Sequence, residues 1–322
     1  MARFAIRRLG AALLTVLLVV TITFGLAHLA PGEPMLGDAE RFRADPARIA
    51  TVRAQFGLDR TLPVQYGMYV ANTMRGNLGD SFVMRRPVLD ILRERLPRTA
   101  LLAGTSLLLA FAAGLAIAAV QARRAGTWTD ALLGGVTLTF HSMPVFWLGL
   151  ILLVIGAQWL GWVPAGGMTT AVEHARMGLM GRMADIGRHL VLPAITLALV
   201  QTAEIARFQR GALVDAMGSG FVRAARARGA SERVVLLRHA LRNALAPAIV
   251  LAGMSVPALL AGSVLVESVF AWPGMGRLTQ EAIAARDYNV ILAAAIASGV
   301  LVALGNLAAD LAVRALDPRI TA

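Results

Sequence analysis

The chain has no cysteine and no lysine. The first absence excludes disulfides, thiolate metal sites and a cysteine nucleophile. The second excludes an ATP site of the usual P-loop form, which needs a lysine to reach the β- and γ-phosphates. Neither H-E-x-x-H nor G-x-S-x-G occurs, which argues against the better-known intramembrane hydrolases, and no catalytic residue is assigned. The five histidines (His28, His141, His174, His189 and His239) are scattered without metal-ligand spacing. His174 and His189 are close enough in sequence to meet on one face, but they read better as polar loop residues. No metal site and no cofactor are expected. Aromatic residues make up only 6% of the chain, and no basic stripe carries interleaved aromatics. Nucleic acid is therefore not an expected partner, despite a formal charge of +12.

What the chain has in abundance is apolar sequence. It is 57% hydrophobic with mean hydropathy +0.66, and the apolar residues fall in runs of about twenty, the length that crosses a hydrocarbon core. Six spans are predicted: Leu9–Ala30, Thr99–Val120, Ala131–Ile155, Leu190–Ala206, Ala248–Val269 and Val290–Leu311. The first follows Arg3, Arg7 and Arg8 like a signal peptide. At 22 residues, with no A-x-A site close behind, it reads as a retained span. The third span contains His141, Ser142 and Pro144, so a kink is expected there. The expected fold is an all-α integral membrane protein of six transmembrane helices.

Arginine placement sets the orientation. Eight arginines (Arg207, Arg210, Arg223, Arg226, Arg228, Arg233, Arg238 and Arg242) lie between spans 4 and 5, against three and two in the short loops on the other side. The positive-inside rule then puts both termini in the cytoplasm. Trp159, Trp162 and Trp272 fall at outer span ends, where an aromatic belt is expected. The long outer segment carries helix signals. Asp45-Pro46 opens one helix and Gly57 closes it, a second runs from Pro63 to Arg75, and Pro87–Leu96 reads either as an interfacial helix or as one packed on other spans.

The segment between spans 4 and 5 is the most informative. Phe221–Arg228 reads as a short basic helix stopped by Gly229, and Ser231 caps a second helix, Glu232–Leu245, with Pro247 introducing span 5. Periodicity alone fits a lipid anchor and a partner-gripping knob equally well. Polar residues within spans are costly and each needs an account. Glu204 and Arg207 lie three apart on one helix face, as an intrahelical ion pair or as part of a pathway wall. His141 and Ser142 either line a cavity or repair the backbone bonds broken by Pro144. Asp310 sits at the inner end of span 6, where it can reach the interface.

The run R-A-A-R-A-R-G-A-S followed by R-H-A-L-R-N-A-L-A-P resembles the coupling loop of permeases of the dipeptide/oligopeptide (peptide/nickel/opine) class of binding-protein-dependent ABC importers. The likeness extends over nearly the whole chain. It takes in Ala30-Pro31-Gly32, Phe56-Gly57-Leu58-Asp59, Leu62-Pro63-Val64-Gln65-Tyr66, Arg86-Pro87-Val88-Leu89, Pro144–Gly149, Gly161–Gly167, Glu267–Leu278, Ala285-Arg286-Asp287-Tyr288 and Leu316-Asp317-Pro318-Arg319. Arg223 stands where the general importer motif has Glu, and Pro247 lies eighteen residues after Gly229 where that motif has thirteen. Both departures resemble the peptide subclass.

The resemblance implies a type I ABC importer permease fold in the cell inner membrane. Residues 1–97 would hold the first span and a structured extracytoplasmic loop, 98–313 the transmembrane core with a coupling loop over 207–247, and 314–322 a cytoplasmic tail. It also implies a second homologous permease forming a heterodimer, two cytoplasmic ATPase subunits, an extracytoplasmic solute-binding protein and membrane lipid around the spans. Arg223, Ala224, Ala225, Arg226, Arg228, Gly229 and Ala230 would couple to the ATPase, with Arg226 and Arg228 on its acidic groups. His141, Ser142, Glu204 and Arg207 are candidates for the translocation pathway. Glu267, Trp272, Pro273 and Gly274 would contact the binding protein or gate the outer mouth. Peptides are the expected cargo. Nickel chelates, glutathione or sugars are the alternatives within the class. A secondary transporter would need mid-membrane acidic coupling residues, which these spans lack at their centres. A membrane enzyme or signalling receptor lacks its motifs or a large cytoplasmic domain.

Overall fold

A computed structural model describes residues 2–29, 46–81 and 83–316. Among these residues the chain is helical, with one isolated antiparallel bridge between Asp80 and Pro87. The helices are α1 (Ala2–Leu29), α2 (Pro46–Phe56), α3 (Leu62–Met74), α4 (Val88–Arg123), α5 (Trp128–Ser142), α6 (Val145–Leu153), α7 (Glu173–Arg176), α8 (Leu179–Met217), α9 (Gly220–Ala227), α10 (Glu232–Val234), α11 (Leu241–Val269), α12 (Met275–Ala285) and α13 (Tyr288–Leu316). Single π-helical turns, Val154–Trp159 and Val235–Ala240, follow α6 and α10. Among the described residues, four helical stretches are long and apolar enough to cross a membrane: Leu9–Leu29, Val88–Arg123, Leu179–Met217 and Tyr288–Ala308. The pair Trp128–Ser142 and Val145–Trp159, bent by 100°, makes a fifth. The expected span 248–269 is helical backbone within α11.

Several expected boundaries move, each for a packing reason. Pro87–Leu96 is not a separate interfacial helix; it is the first part of α4, which runs on through Pro97. Its Val88, Ile91 and Leu92 are buried against Leu278 and Val290, so packing, and not a lipid surface, fixes this turn. The fourth span extends well past 190–206, because α8 continues for 39 residues through Pro193 to Met217. Gln209 and Leu213 stay buried beyond the apolar stretch and keep that extension on the fold. The expected helix Glu232–Leu245 is split. Three α-helical residues and a π turn lead directly into α11, with no break at 247. Ala30-Pro31-Gly32, Asp45 and Leu316-Asp317-Pro318-Arg319 lie wholly or partly outside the described residues.

The chain divides into two compact units, Met1–Thr99 with Pro273–Leu307, and Ala100–Trp272 with Ala308–Ala322. In the first, Val20 and Ala27 of α1 cluster with Tyr69 of α3 and with Leu292 and Ile296 of α13. Gly299 permits this approach, since a Cβ there would lie 2.9 Å from the Val19 side chain. The family-like Ala285-Arg286-Asp287-Tyr288 stretch has a structural duty here. Asp287, 2% exposed, accepts hydrogen bonds from Ser81 Oγ and from the Val83 N–H, while Asn289 Nδ2 donates to the Asp80 carbonyl. In the second unit α8 is the hub, lying against α5, α6 and α11. Gly114 of α4 faces Ile205, whose side chain would lie 2.7 Å from an added Cβ. Gly114→Val is therefore expected to lower stability by about 1–3 kcal/mol through overpacking. The check is the thermal midpoint of the detergent-purified protein; an unchanged midpoint would contradict this packing.

Candidate functional site

Between α5 and α8 lies a cavity of about 450 Å³, within the usual size range for solute sites. Helical spacing builds both walls. Ala131, Gly134, Thr137, Leu138 and His141 line up along α5, while Ala203, Glu204, Arg207 and Arg210 do so along α8. Gln121 at the end of α4, Gly126 and Thr127 of the α4–α5 turn, and Asp130 at the start of α5 close one end. Small residues at 131 and 134 keep the α5 wall open. Pro144 sets where α5 stops: Met143 is extended (ψ 136°), and the chain re-enters helix at the 100° bend.

Three of the four pathway candidates line this cavity: His141 on the α5 wall, Glu204 and Arg207 on the α8 wall. Ser142 does not; its Oγ donates back to the Leu138 carbonyl within α5. The ion pair expected between Glu204 and Arg207 is not formed, and neither side chain has an ionic or hydrogen-bonding partner among the described residues. The Arg207 guanidinium sits 5.5 Å from the Phe208 ring centre. His141 Nδ1 lies 3.3 Å from the Val200 carbonyl, which ties the α5 end to α8.

The ion pair that does form joins residues eighty apart in sequence, Asp130 and Arg210. Arg210 Nε donates to Asp130 Oδ1 at 2.7 Å, and Nη2 donates to the other carboxylate oxygen. Asp130 also accepts from the Gly126 N–H at 3.0 Å, and Gln121 Nε2 donates to its carbonyl at 3.1 Å. The available signal was an acid in the first turn of one span and an arginine just past the end of the next.

The basic helix α9 lies where expected, between α8 and α11. Val222 and Ala225 are buried against Leu213, Val235, Leu236 and Ala240. Phe221, Arg223, Ala224 and Arg228 are exposed on the other side. Gly229 takes a left-handed conformation at φ +82°, and the Ala230 N–H closes on the Ala225 carbonyl at 3.2 Å, which ends the helix as a glycine C′ residue does. Arg226 has a partner within the chain. Its Nε and Nη2 donate to Glu232 Oε1 and Oε2 at 2.8 and 3.1 Å, bracing the corner from α9 to α10. Those bonds hold the Glu232 carboxyl below its ordinary range, so the brace persists at neutral pH and is lost only as acidification passes that lowered value. Arg223 and Arg228 have no partner among the described residues.

At the other end of α11, Trp272 is fully buried with Leu102, Leu190, Val266 and Phe270, and Glu267 is fully buried too. Neither is a surface contact for a binding protein, and Trp272 is no belt residue, because packing encloses both. Trp159 and Trp162 are exposed as a belt requires. Pro273 is half-buried and Gly274, buried, precedes α12. The loop 160–178 is pinned through Asp185, which accepts from the Thr170 N–H and hydroxyl at 3.0 and 2.8 Å and pairs with His174 at 2.7 Å. His189 Nδ1 donates to the Asp185 carbonyl at 2.9 Å. His189 Nδ1 also lies 3.4 Å from Asp185 Oδ1, so the two histidines converge on one carboxylate, and among the described residues no group of three metal-ligating side chains could hold an ion.

Apolar helices long enough to span a bilayer, with a charged cavity between two of them and a basic helix projecting beside it, define a membrane transport subunit. The chain belongs to the family described as binding-protein-dependent transport system inner membrane component, which it matches over residues 110–322; residues 1–103 match that family's N-terminal companion. It is 37% identical over 99% of both chains to the di/tripeptide transport system permease protein DppB of Pseudomonas aeruginosa. It is 36% identical to the glutathione transport system permease protein GsiC of Salmonella typhimurium, and 32% to the dipeptide transport system permease protein DppB of Escherichia coli, again over 99% of each chain. In fold it resembles a chain of the inward-facing MetNI methionine ABC transporter, at a TM-score of 0.57 and 19% identity over 70% of this chain and 96% of that one. This is an inner-membrane permease.

Proposed function

We propose that this permease forms half of the translocation pathway of an ATP-driven importer of di- and oligopeptides. Both termini face the cytoplasm, a second homologous permease completes the pathway, and two separate ATPase subunits and an extracytoplasmic binding protein complete the machine. Residues 98–313 are its core, with 207–247 as the coupling segment and 1–97 as the first span plus outer segment. The observation that carries this reading is the construction of α9: it is anchored by buried Val222 and Ala225, yet it presents Arg223, Ala224 and Arg228 outward with no internal partner. A helix held that way moves as a rigid lever with α8 and α11 when a docked ATPase closes. Arg226 serves the lever by bracing its corner, while Arg223 and Arg228 meet the ATPase. The turn 267–274 acts, in this reading, as a buried outer gate. Glutathione is itself a peptide-like solute, so the likeness to its permease favours the same cargo class.

Gly229 gives the decisive variant. An added Cβ would meet nothing within 4 Å, so Gly229→Val strains only the left-handed backbone, by about 1–2 kcal/mol. The variant is expected at normal level in the membrane but without ATP-driven dipeptide uptake, whereas Gly229→Asn, which tolerates that conformation, keeps most of it. Uptake by Gly229→Val at the wild-type rate would sink the coupling assignment.

A further inference from the structure

The cavity between α5 and α8 holds charges that are not balanced in the way a purely structural site would balance them. Asp130 and Arg210 neutralise each other at one end. Glu204 and Arg207 do not, although three residues apart on one helix they are placed to pair. Both are instead turned to the same cavity, together with His141. They lie near the end of the apolar stretch of α8, Glu204 partly exposed and Arg207 exposed, so both charges are open to a solute that enters the cavity. A lone anion would satisfy Arg207 and leave Glu204 unmet, and a lone cation would do the reverse. A solute with an ammonium group at one end and a carboxylate at the other satisfies both.

We propose that this cavity is a recognition site for zwitterionic peptides, with Glu204 receiving the terminal ammonium group and Arg207 the terminal carboxylate. The proposal rests on the importer reading above and adds that the permease itself, and not only a binding protein, senses the charged ends of its cargo. The volume of about 450 Å³ accommodates a short peptide. Arg207 suits the carboxylate end because its planar donor pairs match a carboxylate bidentately. Gln121 at one end of the cavity and Thr137 on the α5 wall add neutral polar atoms to its lining, although Gln121 Nε2 already donates to the Asp130 carbonyl and Thr137 Oγ1 to the Leu133 carbonyl. Arg210 is not available for the carboxylate while Asp130 holds it.

The absence of cysteine makes a direct test possible. Thr137→Cys puts a single thiol on the cavity wall, and its rate of alkylation by a small maleimide reports occupancy in the purified full-length permease. Dialanine is expected to slow labelling, while N-acetyl-dialanine methylamide, with neither charge, leaves it unchanged. In the same background Glu204→Gln or Arg207→Gln should raise the dialanine concentration needed for half-protection at least about tenfold, and Glu204→Asp should restore most of the protection. Unliganded labelling rates equal to that of the parent confirm an intact cavity in each variant. No protection by dialanine, equal protection by the blocked peptide, or protection unchanged in both neutral variants would overturn the proposal. Equal protection by inorganic phosphate would make it an anion site and overturn it too. ATP-driven dipeptide uptake, measured separately on the complete transporter, keeps the two readings apart. Uptake without protection rejects this site alone, and protection without uptake rejects the cargo reading alone.

Discussion

Arg210→Ala is expected to destabilise the permease by about 1–3 kcal/mol and to remove most of its transport, because it leaves Asp130 enclosed without a counter-charge. The Asp130 side chain is 9% exposed, whereas Arg210 is 36% exposed. Solvent on the arginine side screens the pair, which keeps the expected loss below that of a fully buried bridge. Asp130 also retains the Gly126 N–H bond when Arg210 is gone, which limits the loss further. A double-mutant cycle separates pairing from simple truncation. Asp130→Asn with Arg210→Gln should cost clearly less than the two single changes added together. Strict additivity of the thermal midpoints would show that the two side chains do not work as a pair. The functional part of the expectation follows from position: the bridge ties the start of α5 to α8 seven residues before that helix ends and ten before α9 begins. In the proposed machine, movement of α9 would reach the cavity wall through Arg210.

Trp272→Ala is the second large effect, expected at about 3 kcal/mol, the lower end of the range for deleting a buried aromatic. The lower end applies because part of the surrounding cluster lies at bilayer depth, where lipid offers an apolar alternative and only packing is lost. Trp272→Phe should cost less than about 1.5 kcal/mol, since it keeps most of the volume. A tryptophan of the interfacial belt would behave differently. It would lose only its anchoring to the headgroup region, and Ala and Phe would differ little in thermal midpoint. The ratio of the two effects thus tests the buried placement against the belt placement that the sequence favours.

Much of this architecture is legible in the residues, and the misses have common causes. The kink after Ser142 follows from Pro144 alone, and the ends of α2 and α3 follow from Gly57 and Gly76, both at positive φ. The basic helix α9 and its stop at Gly229 follow from charge periodicity and one glycine. Helix α12 was hidden behind Trp272-Pro273-Gly274, which reads as a turn, although Met275, Leu278 and Ala282 carry a helical stripe that packs on Val88 and Val290. Hydropathy cannot see that α8 continues past residue 206, because the continuation is held by Gln209, whose Nε2 donates to the Ala244 carbonyl at 2.8 Å. Pairing is the least legible feature. Arg226 looks like a docking residue and also pairs with Glu232 within the chain, whereas Glu204 and Arg207 look like a pair and are not one. Side-chain direction around a helix decides such cases, and spacing alone does not fix it.

In the proposed machine α9 docks on an ATPase and does not merely rest on lipid. Ala224→Cys places a single thiol on the exposed face of α9, and Val222→Cys places one on its buried face, in a chain with no other cysteine. The complete transporter, carrying each variant, is treated with a short thiol-to-amine crosslinker in membranes. Covalent capture of the ATPase chain by Ala224→Cys, absent with Val222→Cys and dependent on nucleotide state, is the predicted result. Crosslinking of Ala224→Cys to aminophospholipid alone, with no ATPase product in any nucleotide state, would contradict the account.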